Sequence, residues 1–187
     1  FIIEEEVYEE FLAYFVEYLS QLKQGDPMDD SSDFACMARP DLAKELFAQL
    51  DKSVKAGATL LFGGEAPEDD SALFHPAILT DIPTSAPAYS EELFGPVATI
   101  FKVKNAEDAI ALANDSEFGL GSSIWSEDRE KAEELAGKIE SGAVFINAMV
   151  ASNPHLPFGG VKKSGFGREL SRFGILEFVN SKTVYLG

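Results

Sequence analysis

Cysteine is nearly absent. Cys36 is the only one among 187 residues, which leaves no intrachain disulfide framework and no Cys-rich zinc site. Histidine is almost as scarce, and His75 and His155 lie too far apart in sequence for metal-ligand spacing. No metal is expected. Basic residues are few: 15 Lys+Arg stand against 32 Asp+Glu, for a formal net charge of -17. A polyanion is repelled by phosphate backbones and by anionic lipid, so neither nucleic acid nor a membrane surface is an expected partner. No apolar run approaches the roughly 20 residues that span a bilayer. The chain also opens without Met, and Phe1-Ile2-Ile3 reads as an interior strand cut from its neighbours, which predicts a fragment. What is present is 45% hydrophobic and 25% charged residues with 15 Phe. That balance suits a globular protein with a large apolar inventory, expected to be cytoplasmic.

Periodicity divides the chain. Tyr8, Phe11, Leu12, Phe15, Leu19 and Leu22 form one apolar stripe at helical spacing, behind Glu4, Glu5 and Glu6, and Gly25-Asp26-Pro27 ends it. A second helix is predicted from Pro40 to Lys55, closed by Gly57. Residues 58–62 read as a short strand and residues 65–72 as a polar turn. Residues 74–79, with Pro76 inside, read as an edge or irregular strand, and residues 82–90, with Pro83 and Pro87, as no regular helix. From Pro96 the pattern alternates strictly. A strand over 97–103 precedes a helix capped by Asn105. A strand over 120–125 precedes a helix capped by Ser126, and a third strand covers 143–147. Short links of this kind indicate a parallel sheet with right-handed crossovers. The tail is predicted as a Gly/Pro-rich loop over 154–167, a short helix over 168–173 and a strand over 177–186.

General motif templates fail. No phosphate-cradling G-x-x-x-x-G-K-S/T, no G-x-G-x-x-G after a strand and no G-x-S-x-G occurs. Cys36, with no histidine near it in sequence, reads first as a small buried hydrophobe. His155 in its Pro-flanked loop is a better site candidate than His75, though a solvated loop histidine accounts for it too. Two segments stand out. Ser90-Glu91-Glu92-Leu93-Phe94-Gly95-Pro96 sets adjacent carboxylates beside an aromatic residue and a Gly-Pro turn, which suits either a hydroxyl-binding groove or an acidic surface turn. Phe145-Ile146-Asn147 then runs towards a long Gly-rich loop, and the carboxyl ends of parallel strands are where open α/β sheets place their sites.

Together these segments resemble the NAD(P)-dependent aldehyde dehydrogenase superfamily in its C-terminal part. The resemblance covers essentially the whole chain. It rests on Glu92-Leu93-Phe94-Gly95-Pro96, on Asn114-Asp115-Ser116-Glu117-Phe118-Gly119-Leu120, and on the run from Pro157-Phe158-Gly159-Gly160 to Gly167-Arg168-Glu169, in family order. The loop Val150-Ala151-Ser152-Asn153-Pro154 looks most like the succinate-semialdehyde dehydrogenase branch. The resemblance implies an α/β fold with an open parallel, Rossmann-like sheet flanked by helices. It implies residues 1–158 as a catalytic domain truncated on its N-terminal side, and residues 159–187 as the Gly-rich loop, short helix and oligomerisation strand. It further implies an oxidoreductase that converts an aldehyde to a carboxylic acid with NAD or NADP through a cysteine thiohemiacetal. Glu92 would bind the hydroxyls of the nicotinamide-side ribose and Phe94 would pack beside the nicotinamide. Ser152 would donate to the substrate's distal carboxylate and Phe158 would line the aldehyde tunnel. The terminal strand would join a neighbouring subunit in a homo-oligomer. Relatives carry the nucleophilic cysteine shortly before the position of Phe1, and the general-base glutamate and cofactor domain earlier still. No catalytic residue is therefore expected in this chain, and Cys36 falls where relatives commonly carry Gly-Pro. The chain alone is expected to be inactive. The alternative is a stand-alone binding or assembly module that adds its terminal strand to a partner's sheet.

Overall fold

An apolar stripe on a 3.6-residue period must bury one face, and the first long helix does so. Strand β1 (Ile2–Glu4) runs directly into α1 (Glu5–Gln21). Tyr8, Phe11, Leu12, Phe15 and Leu19 of α1 pack with Ile78 and Ile100. Glu5 and Glu6 occupy its first turn, where the helix dipole favours negative charge. The computed structural model describes residues 1–68 and 70–187, in two units, Phe1–Ala109 and Ile110–Gly187. Asp69, within the polar turn predicted over 65–72, lies outside the described residues.

In the first unit, α2 (Pro40–Lys55) has the predicted bounds: Pro40 stands at the first helical position, and Gly57 takes φ +117° beyond the end. β2 (Thr59–Gly63), β3 (Ala77–Thr80) and β4 (Val97–Thr99) form one sheet in the order β2-β3-β4. β2 is antiparallel to β3, and β3 is parallel to β4. The sequence reads residues 74–79 as an edge or irregular strand because of Pro76. In the structure β3 is the central strand and all four of its residues are buried. Pro76 precedes the first ladder residue, so its missing N–H removes no ladder bond. Alternation along β3 then assigns the two helices to opposite faces. Ala77 and Leu79 pack with Ala43, Leu46 and Leu50 of α2, while Ile78 packs with the α1 stripe. Residues 82–90 do carry one helical turn, α3 (Pro87–Ser90), because Pro87 sits where its absent N–H is not needed. The strand predicted over 97–103 occurs as β4 and β5 (Phe101–Val103), joined at Ile100, whose N–H donates to the Leu79 carbonyl. Beyond Ile100 the partner changes, and β5 pairs in parallel with β1.

Helix α4 (Ala106–Asn114) is capped as predicted, with Asn105 Oδ1 accepting from the Asp108 N–H at 2.8 Å. The second unit then contains β6 (Phe118–Gly119), β7 (Gly121–Ile124), α5 (Arg129–Ala136), β8 (Ala143–Ile146), β9 (Val161–Lys162) and α6 (Ser171–Leu176). β7 and β8 pair in parallel across α5, Gly121 opposite Ala143, as the alternating pattern predicts. The cap of α5 is Asp128, which accepts from the Lys131 N–H; Ser126, the predicted cap, accepts instead from the Asp128 N–H. The predicted loop over 154–167 contains β9, antiparallel to β6, and a bridge between Phe158 and Glu169. The point after residue 158 thus lies within the second unit. α6 starts three residues later than predicted. Turn bonds from the Phe178 and Val179 N–H groups then reach back to Ile175 and Leu176. The strand expected over 177–186 is not seen: residues 177–179 turn at the end of α6, and residues 180–187 form no ladder among the described residues, since a strand needs a second strand to bond. Among the described residues no helix is long and apolar enough to cross a membrane.

Candidate functional site

The segment from Ala88 to Pro96 is held to α2 from both sides. Ser53 is fully buried on α2; its Oγ donates to the Gln49 carbonyl at 2.7 Å and accepts from the Ala88 N–H at 3.0 Å. That bond satisfies one of the free N–H groups at the start of α3. One turn before Ser53, Gln49 Nε2 donates to Glu91 Oε2 at 2.9 Å and to the Glu92 carbonyl at 3.3 Å. At the far end, the Pro96 carbonyl accepts from the Ala77 N–H at 2.9 Å, tying the segment to β3. Between these anchors Gly95 lies against α2 so closely that a Cβ there would stand 2.4 Å from Leu46 Cδ2. Glycine is what lets the backbone approach.

The side chains of Glu92 and Phe94 take no part in these anchoring bonds. Both are exposed, Phe94 to 77%. No donor among the described residues reaches the Glu92 carboxylate. A fixed backbone therefore presents a free carboxylate, an acceptor for a vicinal diol, two residues from an uncovered ring that can stack on a planar group. The two residues singled out from the sequence here share one short segment.

In the second unit the loops at the carboxyl ends of β7 and β8 are joined through Asn147. It takes φ +53°, a left-handed conformation that Asn tolerates. Its N–H donates to the Ile124 carbonyl, its Oδ1 accepts from the Ser126 N–H and its Nδ2 donates to the Ser126 carbonyl, all at 2.8 Å. Ser152 lies five residues further along and is exposed. Asn153 shapes the turn after it, with Oδ1 accepting from the His155 N–H and its carbonyl from the Leu156 N–H. Phe158 is half-buried, and its backbone exchanges both hydrogen bonds with Glu169. Arg168 donates to the Gly160 and Gly167 carbonyls and so closes the Gly-rich stretch. Ser152 and Phe158 thus flank one loop whose two ends are tied down.

The remaining sequence candidates are plainer. Cys36 is exposed and free rather than buried, and no hydrogen bond among the described residues reaches its sulfur. His75 and His155 are exposed. No group of three His, Cys, Asp or Glu among the described residues could hold a metal ion. A cavity of about 590 Å³ lies between Phe166, Arg168, Leu170, Ile175 and Phe178, and it contains none of the four predicted site residues. Sequence reasoning missed Gln49, Ser53 and the bonds of Asn147. Ser53 had a signal: it is the polar member of the buried stripe Ala43, Leu46, Leu50, Ser53.

Residues 1–184 match the aldehyde dehydrogenase family. The chain is 48% identical over 186 residues to a probable NADP(+) succinate-semialdehyde dehydrogenase of Synechocystis sp., covering 100% of this chain and 41% of that protein. It is 47% identical over 185 residues to an NAD(P)+ succinate semialdehyde dehydrogenase of Escherichia coli, covering 99% of this chain and 40% of that protein. Among solved structures, the Streptococcus pyogenes succinic semialdehyde dehydrogenase in complex with NADP+ aligns with a TM-score of 0.95 at 39% identity, over 100% of this chain and 41% of that one. Staphylococcus aureus betaine aldehyde dehydrogenase in complex with NAD+ aligns with a TM-score of 0.91 at 31% identity, over 97% of this chain and 37% of that one. The chain thus spans about two fifths of the length of these relatives.

Proposed function

This chain belongs to the aldehyde dehydrogenase family, and from that premise we propose that it forms the cofactor-positioning and pocket-wall part of an enzyme that oxidises succinate semialdehyde to the acid with NAD(P)+. The observation that carries this reading is the Glu92–Phe94 pair, free and exposed on a backbone anchored by α2 and β3. An unpartnered carboxylate and an uncovered ring fit a ribose diol with a flat heterocycle attached. Bound there, the nicotinamide supplies the hydride acceptor. Glu92 accepts from the ribose hydroxyls and Phe94 packs beside the ring, which orients the cofactor without taking part in bond changes. Ser152 donates to the substrate's distal carboxylate from the loop after β8, and Phe158 lines the approach to it. Neither nucleophile nor general base is assigned to these residues, since the exposed Cys36 thiol has no base bonded to it. A reducing, cytoplasmic setting suits that free thiol. Self-association belongs to the same reading: Phe178, Val184, Tyr185 and Leu186 expose apolar side chains on a segment with no ladder of its own, and a sheet edge of a second copy would supply one.

Titration of the 187-residue chain with nicotinamide mononucleotide, followed by backbone amide shifts, tests the cofactor contact. Shifts at Glu92–Gly95 that vanish in Glu92→Ala are expected, and shifts elsewhere alone overturn the assignment. Mixed with succinate semialdehyde and NADP+, the chain by itself is expected to reduce no cofactor; turnover would place the nucleophile within these residues. In an active preparation that contains the chain, Ser152→Ala should raise KM for carboxylated aldehydes by an amount equivalent to about 1.5–3 kcal/mol. Equal loss on uncharged aldehydes removes the carboxylate role. The ladder-free tail also serves a second reading, an assembly module without catalysis. Mononucleotide binding at Glu92 decides against that one, and a chain that stays monomeric in sedimentation at high concentration decides against both uses of the tail.

A further inference from the structure

We propose that Gln49 and Ser53 are positioning residues that decide which of two neighbouring glutamates faces the cofactor; the inference rests on the reading of Glu92 as the ribose acceptor. Glu91 and Glu92 are chemically equivalent; the motif resemblance singles out Glu92 but gives no physical reason why its neighbour should not bind the ligand instead. The structure separates them. Glu91 has an extended backbone, φ -90° and ψ 151°, and along an extended chain successive side chains point to opposite sides. Gln49 Nε2 donates to Glu91 Oε2 at 2.9 Å and holds that carboxylate against α2. The same Nε2 also donates to the Glu92 carbonyl at 3.3 Å, fixing the backbone that carries the exposed Glu92 side chain. Ser53, one turn along α2, sets the register of this arrangement through its Oγ, which accepts from the Ala88 N–H at 3.0 Å at the start of the turn leading into Glu91. With both bonds made, Glu91 is occupied and Glu92 is free. Without them the two carboxylates can exchange places, and the diol meets a segment that has to be ordered on binding.

The test is nicotinamide mononucleotide titration of the 187-residue chain and its variants, each well below its thermal midpoint. Gln49→Leu and Ser53→Ala are expected to weaken binding about 5- to 10-fold, the size of one lost hydrogen bond. Gln49→Arg, which can donate to both acceptors, and Ser53→Thr, which keeps the hydroxyl, are expected to restore it. A purely structural role lowers the thermal midpoint and leaves affinity alone, so unchanged affinity in Gln49→Leu and Ser53→Ala overturns the proposal, as does failure of both rescuing variants. Absence of any shift at Glu92 in the parent chain is a separate result. It overturns the ribose reading and the positioning role with it.

Discussion

Replacing Gly95 with alanine tests how the Glu92–Pro96 segment is seated on its helix. The new Cβ would lie 2.4 Å from Leu46 Cδ2 and 3.1 Å from Met37 Cε. Gly95 is absent from the glycines with positive φ, so alanine meets no backbone penalty, and lowered unfolded-chain entropy favours it by about 0.4–1 kcal/mol. The steric term opposes this and is larger. Leu46 is only 2% exposed and packed among Ala43, Leu50 and Leu79, so it has little room to turn aside. Overpacking of a core at this scale costs about 1–3 kcal/mol. The net expectation is a destabilisation of about 1 kcal/mol, within the span of about 0–2.6 kcal/mol that the difference of those two terms allows. Leu46→Ala alone should cost about 2–5 kcal/mol through the cavity it leaves. In that background the added methyl enters vacated space and only the flexible Met37 must yield, so Gly95→Ala should become neutral or stabilising. The assay is hydrogen exchange at the Ile100 amide, which is bonded to Leu79 within the first unit and so reports on it directly. Equal cost of Gly95→Ala in both backgrounds refutes the argument, because the clash would then not be with Leu46.

Ile78→Ala, at a fully buried position on the α1 side of β3, is expected to cost about 2–5 kcal/mol in the same exchange assay, well above Leu60→Ala on the outer strand. Burial pushes the Tyr8 phenol above its ordinary value near 10, and the nearby Asp81 and Glu9 charges push it the same way. The unfolded chain therefore loses that proton first, so stability that is intact below about pH 10 should fall as pH rises towards the folded value. Urea midpoints from about pH 9 to about pH 11 should show a shallower decline in Tyr8→Phe, and an equal decline removes Tyr8 as the cause. Asn147→Ala gives up two side-chain bonds to Ser126 and strains a left-handed position, for an expected loss of about 2–3 kcal/mol. Asn147→Gly, which relieves the strain, should lose less, as read by exchange at the Gly142 amide, which is bonded to the Gly119 carbonyl and keeps its acceptor in both variants.

Much of this arrangement was legible in the residues because local chemistry dictates it. Pro40 and Gly57 punctuate α2, Asn105 caps α4, and the strand-helix-strand pattern from Gly121 to Ile146 can close only as a parallel pair. Errors arose where the outcome depends on one residue's offset. Pro76 inside β3 would have made it an edge, whereas Pro76 one place ahead of β3 leaves it free to be central. Ser126 and Asp128 are both good caps two positions apart, and the helix used the second. Pairings of very short strands, such as Phe118–Gly119 with Val161–Lys162, leave no periodic trace at all. At the candidate site the motif singled out Glu92 and Phe94, but not what physically separates Glu92 from Glu91. That separation is made by Gln49, more than 40 residues away in sequence.

The handover at Ile100 has a consequence for how the polypeptide must assemble. Among the described residues the β1 segment finds its ladder only with β5, and the Phe1 nitrogen meets the Thr99 carbonyl across a sequence separation of 98 residues. At ribosomal speeds of about 5–20 residues per second, those apolar residues emerge about 5–20 s before their mate exists. Closing so long a loop carries an entropic toll that local helices escape, so this pairing should come late in folding. Until then the apolar Ile2 and Ile3 lack their β5 mate, a surface that suits a holdase chaperone.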